Sequence, residues 1–172
     1  MHKSDKENLP IIGPSTIVSV GGVSNVPAKI DTGAGSSAIW ASDIAVSKKG
    51  VLSFCLFGKG SQFYTGKIHK RTDYKVFVVR SAMGQEEIRY RVYIPVNIAG
   101  HRIKALFSLA DRSKNSFPVL IGRRTLNGKF LVNVSLPNIE HKEIKTEQRI
   151  DIKKFRKNPH EFHKQYVKKG EK

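Results

Sequence analysis

From Pro14 to Val134 the sequence breaks into short runs rich in Val, Ile, Phe and Tyr, separated by Gly, Pro, Asn and Ser. That punctuation confines this part of the chain to an all-β fold, because strands of this length need turn residues between them and helical periodicity is scarce. Thr16 to Val20 and Val26 to Ile30 read as a strand pair joined through Gly21, Gly22, Ser24 and Asn25, with Asp31 at the end of the second strand. An extended pattern resumes over Ser37 to Trp40. Val51 to Phe57 is mostly apolar, as expected of a strand buried on both faces. Tyr74 to Val79 and Ile88 to Ile98 flank Ser81-Ala82-Met83-Gly84-Gln85, which predicts a long, partly exposed hairpin. A second turn is expected at Gly100, a strand over Ala105 to Leu109, and another over Phe117 to Gly122. A short helix over Arg123 to Leu126 would be ended by Asn127-Gly128.

After Pro137 charges become dense and apolar residues sparse. The reading is therefore an N-terminal arm over residues 1–13, a β-barrel domain over 14–137, and a basic C-terminal tail over 138–172. A helix broken at Pro159 and a mobile tail are both compatible with that last segment. A chain of 172 residues suits one such domain. No internal repeat stands out, so a two-lobed enzyme with duplicated active-site halves is not expected.

Lys and Arg number 31 against 14 Asp and Glu, a formal charge of +17. This excess attracts nucleic acid, acidic peptides or anionic surfaces without choosing among them. The lone Cys55 lies in an apolar run and reads as a packed thiol, which fits a reducing compartment. Residues 1–10 carry no apolar h-region, and no stretch approaches the ~18 apolar residues of a membrane span. The expectation is a soluble, cytoplasmic protein without membrane partners.

The sharpest chemical signal is Asp31-Thr32-Gly33-Ala34, directly after the strand Val26 to Ile30. Such a turn presents a carboxylate, with Gly permitting close backbone approach and Thr tying the turn down. Alone it reads equally as a plain β-turn. Its counterpart lies far downstream, in Val119-Leu120-Ile121-Gly122-Arg123. Together these segments resemble the retropepsin family, in which an Asp-Thr-Gly-Ala turn is matched by a late apolar-apolar-Gly-Arg segment leading into a short helix. Ile94 to Arg102 is similar to the strand and Gly-His turn that follow the flap in retroviral proteases. Lys29 to Ala34, Leu109 to Ser113, and Phe117 to Arg123 followed by Phe130-Leu131-Val132 resemble a bacterial and archaeal family carrying the label ATP-dependent zinc protease, whose members look like retropepsins.

The residues themselves do not fit that label. A zincin helix needs His-Glu-x-x-His, and His160-Glu161-Phe162-His163 is one residue too short. A P-loop needs four residues between its glycines and a hydroxyl after the Lys, whereas Gly60 to Gly66 has five and Lys67 is followed by Ile68. Neither zinc nor ATP is expected, and no other cofactor. Retroviral enzymes often carry an acid four residues after the catalytic Asp to pair with the helix Arg, but here that position is Gly35. Asp43 and Asp111 are the alternative partners for Arg123. The stretch between Asp31 and Gly100 is also longer than in those enzymes, which implies an insertion around Cys55 to Lys70 or a larger flap.

The resemblance implies an aspartic-type endopeptidase with Asp31 as its catalytic residue, supported by Thr32, Gly33, Ala34, Gly122 and Arg123. Met83 and Gly84 would form the flap. Two carboxylates must share a proton for this chemistry, and the chain has one such turn, so a homodimer is the expected assembly. The substrate would be a peptide or protein, with the basic charge suiting an acidic one. Two competing readings use the same residues differently. One is a basic β-barrel that binds nucleic acid, with Phe63, Tyr64, Tyr90 and Tyr93 as stacking groups. The other is an inactive dimeric scaffold.

Overall fold

The computed structural model describes residues 9–80, 86–139, 156–161 and 164. By contacts the chain divides into a unit over residues 1–142 and a second over 143–172.

In the first unit, β2 (Ser15–Val20) turns back into β3 (Val23–Asp31). The reversal takes only two residues, Gly21 and Gly22, at φ 60° and 91°. Positive φ at both positions is the conformation that matches the twist of paired strands and that side chains resist. Ser24 and Asn25, expected in the turn, instead belong to β3. Next come β4 (Ser37–Val46), β5 (Leu52–Leu56) and β6 (Ile68–Arg71). Strand β5 is buried along most of its length, as its apolar run implies. Strands β7 (Lys75–Arg80) and β8 (Glu86–Ile98) form the long hairpin, and β9 (His101–Ala110) pairs back on β8 through a turn at Ala99-Gly100. Finally β10 (Val119–Gly122) runs into the single helical turn α1 (Arg123–Leu126). Short β1 (Ile11–Ile12) pairs in parallel with β11 (Leu131–Val132).

The strands close into a ring. In order, β10, β3, β2, β8, β9 and β4 are neighbours, and β4 returns to β10 through Val119 and Leu120. The result is an all-β closed barrel, the fold the sequence predicts. Strands β5 and β6 extend the sheet beyond the ring from the far half of β4, within the stretch between Asp31 and Gly100. Alternate residues of a strand point to opposite faces. Inside lie Val18, Val26, Ile39, Val92, Phe107 and Ile121, each almost fully buried. Burying side chains of this size stabilises by about 1.5–3 kcal/mol apiece relative to exposure.

The second unit has helical residues at 156–157 and 159–161, on either side of Asn158. Among the described residues no helix is long and apolar enough to cross a membrane.

Candidate active site

Two strands that are distant in sequence hold the Asp31 turn. Strand β10 lies parallel to β3, with Gly122 level with Asp31. The turn then folds onto the junction between β10 and α1, where the Arg123 amide donates to the Ala34 carbonyl at 2.8 Å. Gly122 is dictated by this contact. A Cβ there would stand 2.5 Å from the carbonyl carbon and oxygen of Ser36 and 2.9 Å from Ala34 O, all backbone atoms with little freedom to retreat.

A buried hydroxyl pair braces the same junction. Ser37 Oγ accepts from the Gly122 amide at 3.1 Å and lies 2.7 Å from Thr125 Oγ1, joining β4, β10 and α1. Both side chains are buried. Paired with each other they satisfy groups that would otherwise destabilise the core.

Within the turn, Asp31 Oδ1 accepts two backbone hydrogen bonds, from Gly33 N and Ala34 N, each at 3.0 Å. One carboxylate oxygen is thus fixed by the main chain, which orients the group without a charged neighbour on the same turn. Asp31 is partly exposed, and Thr32 and Gly33 are exposed beside it. Thr32 also borders a largely apolar concavity of about 750 Å³ that includes Arg124, Leu126, Phe130 and Leu131.

The structure therefore brings together Asp31, Thr32, Gly33, Ala34, Gly122 and Arg123. Met83 and Gly84 lie outside the described residues. Arg123 finds neither suggested partner. Asp43 accepts from Ser42 Oγ at 3.1 Å, and Asp111 accepts from the Ser113 amide at 2.9 Å, a bond that holds its carboxyl below the usual range. Arg123 is exposed and makes no ion pair among the described residues. The described residues also contain no group of three or more His, Cys, Asp or Glu placed to hold a metal.

Sequence reasoning overlooked Ser37 and Thr125, whose hydroxyls carry no local signal because their partners are 85 and 88 residues away. It also gave no role to Arg112. This half-buried side chain follows β9, and its Nε donates to Phe117 O at 3.1 Å. Burial pushes its guanidinium pKa down, Arg89 pushes the same way, and Asp31 opposes them.

A family model described as RimB-like, retropepsin-like aspartic endopeptidase RimB, matches residues 16–143. A protein of Shewanella halifaxensis named "Probable alpha-L-glutamate ligase" is 26% identical over 142 residues. That match takes in 80% of this chain and 31% of the relative, so the chain spans about a third of the curated relative's length. Among solved structures, a Legionella pneumophila protein of unknown function (DUF785) superposes with a TM-score of 0.54 at 20% identity. The alignment covers 75% of this chain and 96% of that one, and it supports the fold alone. The family that matches is thus a retropepsin-like one, and the zinc-protease label is not the description it carries.

Proposed function

The chain belongs to the RimB-like family of retropepsin-like aspartic endopeptidases, and on that premise we propose that it hydrolyses peptide bonds with a water activated between two Asp31 carboxylates, one from each copy of a homodimer. The observation that carries this reading is the seating of Asp31. One of its oxygens is bound by the Gly33 and Ala34 amides, and the turn is clamped by the Gly122-Arg123 junction. A carboxylate held this way keeps one oxygen for chemistry. Two such groups ~3 Å apart across a two-fold axis cannot both ionise cheaply, so they share a proton. The ionised member draws a proton from water, and the protonated member hydrogen-bonds the substrate carbonyl oxygen.

The twin must come from a second copy, since the fold places one Asp-Thr-Gly-Ala turn in each chain. An isologous dimer supplies it with a single interface. Thr32 is exposed on the lip of an apolar concavity, and Ile11 and Leu131 nearby in the β1–β11 pair are 60% and 50% exposed. That is the surface a partner copy would cover.

Acidic peptides are the substrate class this reading favours. The net charge of +17 draws them in, and the curated relative that contains a matching stretch is named as a glutamate ligase.

Replacing Asp31 with Asn tests the reading. The D31N chain keeps its size and its turn but loses the proton exchange. Hydrolysis of glutamate-rich peptides is expected to fall by at least ~10²-fold, since general acid–base help is typically worth ~10²–10⁴-fold. The wild-type pH profile is expected to be bell-shaped, reporting the two steps in which the pair titrates. Undiminished cleavage by D31N removes Asp31 from the mechanism.

A further inference from the structure

Strand register puts Asp31 and one arginine on the same face of the sheet. Asp31 and Lys29 share a face of β3, because alternate residues do. Lys29 is level with Leu120, Leu120 with Ala38, Ala38 with Ser108, and Ser108 with Arg91. The opposite face holds Ile30, Ile121, Ile39, Phe107 and Val92, all buried in the barrel interior. The row ending at Arg91 therefore lies on the outer face of the strands, the face of β3 that also carries Asp31.

On that face two polar atoms are left without a partner. Arg91 Nε and Ser108 Oγ are both shielded from solvent and make no hydrogen bond, although their residues stand directly opposite each other on β8 and β9. Ser108 as a whole is 6% exposed. Arg Nε can only donate, while a hydroxyl can donate or accept. Unmade bonds at buried groups are destabilising, and native structures hold few of them without a use. The Arg91 guanidinium also lies under the Phe77 ring, with Cζ 3.7 Å from its centroid. Phe77 belongs to β7, which pairs only with β8 among the described strands.

The cation whose charge reaches Arg91 is Arg124, at the start of the helical turn α1. Elsewhere, Arg112 donates from Nε to Phe117 O and feels the charges of Arg89 and Asp31. Arg89 leans on Glu87 at 2.9 Å. Burial and Arg124 push the Arg91 guanidinium pKa down, as burial and Arg89 do for Arg112. Cations depressed by burial and by one another are relieved by an anion placed among them.

We propose that Arg91 and Ser108 form the subsite that receives a carboxylate side chain of the substrate, a glutamate or aspartate flanking the scissile bond, as the Phe77 ring moves aside. This inference rests on the peptidase reading and names the residues that set its specificity. A carboxylate accepts from the edge of a guanidinium, Nε and a terminal nitrogen together, and from the serine hydroxyl at once. A glutamine side chain of the same shape has no charge and loses these charge-assisted bonds. Discrimination of Glu over Gln is accordingly expected to be about 10- to 100-fold.

The test uses the full chain carrying D31N, so that bound peptide stays intact, and measures anisotropy of labelled hexaglutamate and hexaglutamine. The D31N chain is expected to bind hexaglutamate at least ~10-fold more tightly. R91M and S108A, each added to D31N, are expected to shrink that ratio severalfold. R91M removes a buried donor that is unpaired, so its melting temperature should hold or rise, which separates a binding loss from misfolding. R91K keeps the charge and lacks the guanidinium edge, and it is expected to lose most of the discrimination as well. A ratio unchanged in R91M, or fully retained in R91K, overturns the subsite, because general attraction by the basic chain then explains the preference. These arms need no turnover. Loss of the subsite is therefore distinguishable from loss of the peptidase reading, which D31N hydrolysis assays decide.

Discussion

At the scale of single residues, the site depends on one place where no side chain fits. A methyl group at Gly122 meets the Ser36 backbone at 2.5 Å, so G122A must push the Asp31 turn away from the α1 junction. Overpacking of this kind typically costs about 1–3 kcal/mol. G122A is therefore expected to lower stability in urea unfolding by about that amount and to impair hydrolysis more than a remote substitution of equal cost. An unchanged midpoint with full activity would show that the junction does not position the turn. Gly122 was legible in the sequence because its motif is contiguous with Arg123 and echoes the earlier Asp-Thr-Gly-Ala. Ser37, Thr125, Arg91 and Ser108 were not. Their roles come from partners across the fold, and a serine in a strand looks the same whether it braces a junction or faces solvent.

At the scale of elements, local pairings were readable and distant ones were not. The β2–β3 and β8–β9 hairpins announce themselves through Gly21-Gly22 and Gly100, where positive φ is needed. The parallel pairings of β3 with β10 and of β4 with β9, and the antiparallel contact of β4 with β10 that closes the ring, are marked by no turn residue. Outside the ring, β5 and β6 make a pairing with its own titration. His69 on β6 stands opposite Phe54 on β5, their rings stacked with centroids 5.4 Å apart. Burial, then Arg71 and Lys67, lower the His69 pKa below the ordinary value of 6.5. The unfolded chain thus takes up this proton first as pH falls. Any stability linked to it is fully present above about pH 6.5 and declines as pH drops toward the folded-state pKa. H69F keeps the stack and removes the titration, so its unfolding midpoint is expected to vary less with pH across that window. An identical pH dependence in wild type and H69F would contradict the shift.

For the whole molecule, the proposal turns on each chain carrying half of a catalytic pair. The all-β class and the barrel could be anticipated from punctuation and motif. The homodimer is expected from the family resemblance and the single Asp-Thr-Gly-Ala turn. The surface that forms it is not readable from one sequence, because an interface between identical copies leaves no pattern separate from the rest of the surface. The folded chain does set an apolar concavity beside the exposed Thr32, with arginines on its rim. Strand β7 pairs with β8 outside the ring order.

Subunit mixing tests the shared pair most directly. Wild-type chains are equilibrated with a roughly ninefold excess of D31N, and hydrolysis is expressed per wild-type chain. If two Asp31 carboxylates from two copies are required, most wild-type chains become paired with an inert partner, and specific activity falls by about tenfold. Activity per wild-type chain that stays constant under the same excess, with exchange verified by mass spectrometry, would contradict a site completed by a second copy.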